Sequence, residues 1–324
     1  MKRILIVGAG GQIGTELVPH LQKIYGTENV VGADLRDDLV AKLAEHGPAL
    51  KLDACNLASY AGAVKEYKID AIFNLVALLS AKGELNPRHA WDINISALIN
   101  SLDIAKQCRC ALFTPSSIGA FGLSTPHADT PQDTIMRPDT MYGVCKVTGE
   151  LLSDYYFTKF GVDTRSVRFP GLISYAQLPG GGTTDYAVEV FYEILKTGHY
   201  TCPIPEDSYM DMMYMPDALD AVSTLMEADP SRLIHRNSFN IASMSFCPKE
   251  LFAAIGKRIP TATFDYDVDP IKAAIADSWP DKMDDTCARK EWDWAPKWDM
   301  DAMIDDMLKH VAEKLGISKL KVGL

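Results

Sequence analysis

A doubly wound parallel α/β sheet (a Rossmann-type fold) with a smaller, mostly helical lobe is the architecture this sequence predicts. Two observations carry it. Short apolar runs alternate with amphipathic stretches up to about residue 168, as in βαβ units. After about residue 170 the alternation loosens, with Gly and Pro gathered at 179–182 and Pro again at 203 and 205. The expected division is 1–172 for the sheet domain and 173–324 for the lobe, with some late segments returning to the first domain.

The elements follow in order. Residues 3–7 (RILIV) are a β-branched and Leu run suited to a strand buried on both faces. From Ile13 to Ile24, apolar residues fall at 13, 17, 18, 21 and 24, a helical period. Asn29 to Ala33, 69–75, 110–114 and 162–168 read as further strands. Helices are expected at 36–46, 58–66, 88–107 and 142–160, and in the lobe at 185–197, 216–228, 248–258 and 300–315. Residues 317–324 are expected to fray.

Composition bounds the function. The chain of 324 residues is 47% hydrophobic and 23% charged, and 32 basic against 43 acidic side chains give a net charge of −11. A nucleic-acid surface is not expected, since phosphate backbones call for clustered Lys and Arg. Lys2 and Arg3 precede an apolar run, but Gly8 and polar Gln12, Thr15 and Glu16 cut it short, so neither a secretion signal nor a membrane span is expected. The seven Cys are odd in number and lack zinc-type spacing. Reduced thiols in the cytoplasm and no metal are the expectation.

The first strand runs into Gly8-Ala9-Gly10-Gly11-Gln12-Ile13-Gly14 and then a helix. Strand, glycine turn and helix in that order form a dinucleotide cradle. Gly8 allows the tight turn, Gly11 a close approach of backbone to a pyrophosphate, and Gly14 close packing of helix on strand. The pyrophosphate would sit on the helix N-terminus. Ile13 stands where the GxGxxG spacing wants Gly, so the fit is GxxGxxG. Asp34 ends the second strand 20 residues after Gly14, placed to accept both hydroxyls of an adenosine ribose. That favours NAD over NADP, although Arg36 two residues on could serve a 2′-phosphate.

Tyr142-Gly-Val-Cys-Lys146 stacks Tyr and Lys one turn apart on a helix face. A free Tyr titrates near 10, and bringing it to about 7 takes roughly 4 kcal/mol. A Lys ammonium about 4 Å away, at an effective dielectric of about 20, supplies roughly 4 kcal/mol. The pair is thus the right size for a general base. Just upstream, the strand at 110–114 ends in Pro115-Ser116-Ser117, hydroxyls at the edge where such sheets present catalytic groups. A turn-capping Ser is the plain structural alternative.

Together these pieces resemble the extended short-chain dehydrogenase/reductase family, over most of the chain through Trp292-Asp-Trp-Ala-Pro296. The resemblance implies Ser117, Tyr142 and Lys146 as the catalytic set, with Ser117 four residues before Phe121-Gly122, where the family has Tyr-Gly. It implies cofactor contacts from Gly8, Gly11, Gln12, Ile13, Gly14, Asp34, Leu35, Arg36, Asp53, Ala54, Leu75, Ala77, Asn94, Tyr142 and Lys146. Asn94 matches an Asn that holds the active-site backbone. Pro115 to Gly122, Arg168 to Ile173, Gly180-Gly-Gly-Thr-Thr-Asp-Tyr-Ala187 and Tyr214 to Asp217 are similar to the family's threonine-oxidising branch.

That likeness implies oxidation of the β-hydroxyl of L-threonine, with hydride passing to NAD, Tyr142 as base, Lys146 lowering its pKa and Ser117 orienting the hydroxyl. Ser80, Thr183 and Thr184 would recognise the amino acid, with Trp279 as a lid. Each has a structural alternative: helix capping for Ser80, loop ordering for the threonines and packing for Trp279. The family's pairing of helices like 88–107 and 142–160 implies a homodimer. Two other readings remain, a sugar-nucleotide epimerase or dehydratase and a non-catalytic NAD(H)-sensing protein.

Overall fold

The computed structural model describes residues 1–178, 180 and 182–317. Gly181, within the Gly180–Ala187 segment, and 318–324, within the tail expected to fray, lie outside the described residues.

Six parallel strands form the main sheet. In chain order they are β1 (Ile4–Val7), β2 (Val30–Asp34), β3 (Ala49–Lys51), β4 (Ala71–Asn74), β5 (Ala111–Phe113) and, after the two-residue β6 (Ser116–Ser117), β7 (Thr164–Arg165). Their order across the sheet is β3-β2-β1-β4-β5-β7. It reverses direction between β1 and β4, which opens a crevice at the carboxyl ends of the strands. Five helices of this half are α1 (Gly14–Tyr25), α2 (Asp37–Ala44), α3 (Leu57–Glu66), α4 (Ser80–Leu85) and α5 (Pro87–Cys108), and α6 (Met141–Phe160) follows β6.

Side-chain alternation along β1 builds both cores. Ile4 and Ile6 join α1 residues Leu17, Val18 and Leu21 on one face. Leu5 and Val7 join Tyr60 and Val64 of α3 and Leu98 and Leu102 of α5 on the other. A strand covered twice has no polar face, which is why its sequence reads as an unbroken apolar run.

Two differences from the sequence reading have physical reasons. Strand β3 gives no periodic signal, because it is three residues long, follows Pro48 and sits half-exposed at the sheet edge. The run 162–168 is two strands, β7 and β8 (Val167–Phe169), separated by Ser166. Ser166 donates its N–H to the Arg236 carbonyl and accepts from Phe239 N, which passes the chain from the main sheet to a second one.

The lobe holds β9 (Gly171–Ile173), α7 (Tyr186–Thr197), β10 (His199–Cys202), β11 (Met210–Tyr214), α8 (Met215–Glu227), β12 (Phe239–Asn240), β13 (Met244–Phe246), α9 (Pro248–Arg258), β14 (Thr263–Tyr266), α10 (Pro270–Ala276), α11 (Thr286–Trp292) and α12 (Met300–Leu315). It is helix-rich but also carries the small sheets β13-β11-β9 and β10-β14. A third, β12-β8-β6, runs beneath the crevice. Val222 and Leu225 of α8, with Phe239, Trp292 and Trp294, pack into the core around β1 and α1. No helix among the described residues is long and apolar enough to cross a membrane.

Candidate active site

The cradle begins where β1 ends. Gly8 takes a left-handed φ of +80°, a conformation L side chains rarely adopt. A Cβ on Gly14 would come within 2.6 Å of the Cα and carbonyl oxygen of Ala9, so only Gly lets α1 pack this close. Gly10, which the GxxGxxG reading leaves unassigned, is just as confined: a Cβ there would stand 2.5 Å from Leu39. No side chain among the described residues caps α1, and Thr15 N and Leu17 N donate to the Gly11 and Ile13 carbonyls, so it is the amides just ahead of them, at Gln12, Ile13 and Gly14, that are offered to an anion. Gln12 and Ile13 reach the cleft wall.

Asp34 is held at the rim of the turn. Its Oδ2 accepts from Gly10 N at 3.0 Å and its Oδ1 from Arg36 N at 3.2 Å. Arg36 itself is bonded to both oxygens of Asp38. The guanidinium that could have met a 2′-phosphate thus has another partner, while the Asp34 carboxylate remains beside the turn. Leu35 is exposed, Asp53 accepts from Cys55 N at 2.9 Å, and Ala54 is buried behind it. The residues fit a dinucleotide with free ribose hydroxyls.

The crevice opens into a cleft between the sheet and the lobe. Its sheet-side wall brings together Leu75, Ala77, Ser117, Tyr142 and Lys146, and its lobe-side wall Thr183, Thr184 and Trp279, with Ser80 at the start of α4. Asn94 lies outside the cleft, and it accepts from Leu78 N at 2.7 Å and donates to Leu78 O at 3.2 Å. Those two bonds pin the loop after β4 that carries Ala77 and Ser80.

Local structure aims each polar group. Thr140 caps α6 by accepting from Gly143 N, which starts the helix just before Tyr142. One turn on, Lys146 Nζ donates to the Pro115 carbonyl at 2.7 Å and stands 5.2 Å from the centre of the Tyr142 ring. Gly119 separates Tyr142 from Ser117: a Cβ there would be 3.1 Å from the Tyr142 ring and 3.5 Å from Ser117 Oγ. Ser117 Oγ accepts from Gly119 N at 3.1 Å, which leaves its own hydrogen to donate. Ser116 turns inward instead and donates to the buried carboxylate of Glu150. Cys145, between Tyr142 and Lys146 in sequence, is buried, and burial raises its thiol pKa.

Trp279 is nine-tenths buried in the lobe core and lines the cleft. The loop 174–178 completes the site from above. Ser174 donates to Glu16 of α1, and Gln177 Nε2 donates to Thr15 Oγ1 at 3.2 Å and to the Gly10 carbonyl at 3.4 Å. Lys314 of α12 donates to the carbonyls of Tyr175 and Ala176. Burial raises the Glu16 pKa. Gln177 and its exposed neighbour Leu178 line the cleft, yet no spacing in the sequence marks them, because their partners are more than 130 residues away.

Comparison with known proteins agrees with this geometry. The NAD dependent epimerase/dehydratase family matches residues 4–242. An uncharacterised epimerase/dehydratase of Staphylococcus haemolyticus is 54% identical over 97% of this chain and 99% of its own. The solved L-threonine dehydrogenase of Clostridium difficile superimposes with a TM-score of 0.96 at 52% identity, covering 98% of this chain and 99% of that one. A GalE-like L-threonine dehydrogenase from Cupriavidus necator, in its holo form, gives 0.91 at 43% identity over 95% and 99%. With the cradle, the Asp34 rim and this likeness over nearly the whole chain, the protein belongs to the NAD-dependent epimerase/dehydratase family of extended short-chain dehydrogenases/reductases, an oxidoreductase with NAD as its cofactor.

Proposed function

We propose that the chain oxidises the β-hydroxyl of L-threonine to give L-2-amino-3-oxobutanoate. The observation that carries this reading is a cleft with Ser117, Tyr142 and Lys146 on one wall and Thr183 and Thr184 on the other. Relatives described as L-threonine dehydrogenases, at 43–52% identity, support it. Among the described residues lining the cleft, Lys146 is the one Lys or Arg, which suits a small amino acid better than a nucleoside diphosphate. Asp185, at the end of the Thr183–Asp185 turn, gives that wall a negative charge opposite in sign to an α-ammonium group.

When bound, NAD supplies the hydride acceptor. Gly8, Gly10, Gly11 and Gly14 let it lie against the turn, Asp34 takes its ribose hydroxyls, and Lys146 is placed to bond the nicotinamide ribose. Tyr142 removes the proton from the substrate hydroxyl as the carbon–hydrogen bond breaks. Ser117 donates to the substrate oxygen and holds it as it becomes a carbonyl. Ser80, Thr183 and Thr184 orient the amino acid so that the β-carbon faces the cofactor.

The test is NADH formation by the full chain with NAD and, separately, L-threonine and L-serine, with chromatography of a UDP-sugar incubated with the same protein, because epimerisation and dehydration return the hydride and leave no net NADH. Turnover with L-threonine is expected. Turnover of the UDP-sugar alone would establish the epimerase or dehydratase reading, and tight NADH binding without turnover of any of them the sensing one.

We also propose a homodimer in a reducing, cytoplasmic setting. Val144, Leu151 and Tyr155 of α6 are exposed apolar residues seven and four apart, one stripe of a helix that packs on α5. The seven cysteines are unpaired. One solved relative, 40% identical, is described as monomeric, so mass measured in solution decides the matter. A dimer that Leu151→Glu with Tyr155→Glu splits is the expected result.

A further inference from the structure

Away from the cleft, α11 and the segment before β12 bring a histidine, a cysteine and a carboxylate together. The Nδ1 or Nε2 of His235, the Sγ of Cys287 and a carboxylate oxygen of Glu291 lie within 4.8 Å of one another. Cys287 and Glu291 are one turn apart on the same face of α11. His235 comes from 52 positions earlier in the chain, which is why no Cys/His spacing announces the cluster. None of the three lines the substrate cleft.

We infer that His235, Cys287 and Glu291 form a binding site for a zinc-type divalent cation. The donor set is one imidazole nitrogen, one thiolate and one carboxylate oxygen, the mixture a borderline-soft ion selects. Bonds of about 2.0–2.3 Å at tetrahedral angles place donor atoms roughly 3.3–3.8 Å apart, so small side-chain rotations close the cluster on an ion.

The surroundings are arranged as a second layer. Glu291 is buried, and its Oε2 accepts from the backbone N–H groups of Ile234 at 2.5 Å and His235 at 3.0 Å. That leaves Oε1, which contacts His235 Nδ1, to face the ion. The other ring nitrogen, Nε2, lies 3.4 Å from the Asp133 carboxylate. A histidine that donates one ring N–H to a carboxylate and turns the other nitrogen to a metal is the usual pattern at zinc sites. Asp133 is on the far side of the ring, so it positions His235 and is not itself a ligand. Binding releases the thiol proton of Cys287 and the proton between His235 and Glu291, and water fills the fourth position. The ion would tie α11 to the segment that leads into β12.

The test uses the full chain with NAD, stripped with chelator and titrated with Co²⁺, followed by Zn²⁺. A thiolate-to-cobalt charge-transfer absorption saturating at one equivalent is expected, bleached by Zn²⁺, with a rise in melting temperature. Cys287→Ser should abolish the absorption, His235→Gln should weaken binding by about tenfold or more, and Asp133→Ala by about 10–100-fold. All three variants should keep metal-free turnover, and their melting temperatures in chelator report that they fold. No absorption in the wild type overturns the proposal. So does an absorption that survives Cys287→Ser, since it would belong to another thiol such as exposed Cys55.

Discussion

Glu150 and Arg168 form a forked ion pair beneath the active site, with Arg168 Nη2 at 2.7 Å from Oε2 and Nε at 3.0 Å from Oε1. Both side chains are about 95% buried. Arg168 also donates to the Gln132 carbonyl and to Asn240 Oδ1, and Glu150 accepts from Ser116. The pair thereby joins α6, which carries Tyr142 and Lys146, to β6, β8 and β12. Removing one partner leaves the other charge buried and alone. Glu150→Ala should therefore lose about 3–5 kcal/mol of stability in urea unfolding, and Glu150→Gln less.

Tyr142→Phe keeps the ring against Gly119 and removes only the hydroxyl. Turnover should fall by about 10²–10⁴-fold, while NADH affinity measured by fluorescence stays within a few-fold of wild type. Retained turnover would remove Tyr142 from the role of base.

Two glycines give a matched contrast. Gly14→Ala drives a Cβ into the backbone of Ala9 and should cost about 1–3 kcal/mol as well as cofactor affinity. Gly62, inside α3, has nothing within 4 Å of an added Cβ. Gly62→Ala should raise stability by about 0.5–1 kcal/mol and leave NAD binding alone. Melting curves with and without NAD check both.

Asp211 of β11 is fully buried and accepts from Met283 N at 2.8 Å. Burial pushes its pKa up to about 8 from an ordinary 3.8. Between those values the folded chain holds a proton that the unfolded chain has lost, so stability falls as pH rises. The contribution is whole below about pH 4 and gone above about pH 8. Asp211→Asn keeps an acceptor for Met283 and cannot ionise. Across that window the wild type should lose up to about 1.4 kcal/mol per pH unit relative to the variant, read from urea unfolding at a series of pH values.

Local features of the chain were legible in the sequence, and features made by distant contacts were not. Strand β1, the turn and α1 announce themselves because a twice-covered strand must be apolar and a close turn must be Gly. Tyr142 and Lys146 are visible because helical spacing places them. Ser116 and Ser117 could not be told apart by residue type. What separates them is that the Ser116 hydroxyl is spent on Glu150, 34 residues away, while Ser117 Oγ accepts from Gly119 N and keeps its hydrogen for the cleft. Gly10 was in plain view, but its confinement comes from Leu39 on α2. Gln177 and the His235 cluster depend wholly on tertiary contacts, and the short strands of the lobe are too brief to show a period.

The loop 174–178 touches the cofactor turn through Glu16, Thr15 and Gly10 and touches α12 through Lys314. Cradle and cleft are therefore two ends of one clasp. Whatever free energy seating NAD contributes to ordering this clasp is returned to the substrate as affinity, and by reciprocity the substrate must tighten NAD by the same factor. Such linkage makes each ligand raise the affinity of the other, whichever arrives first.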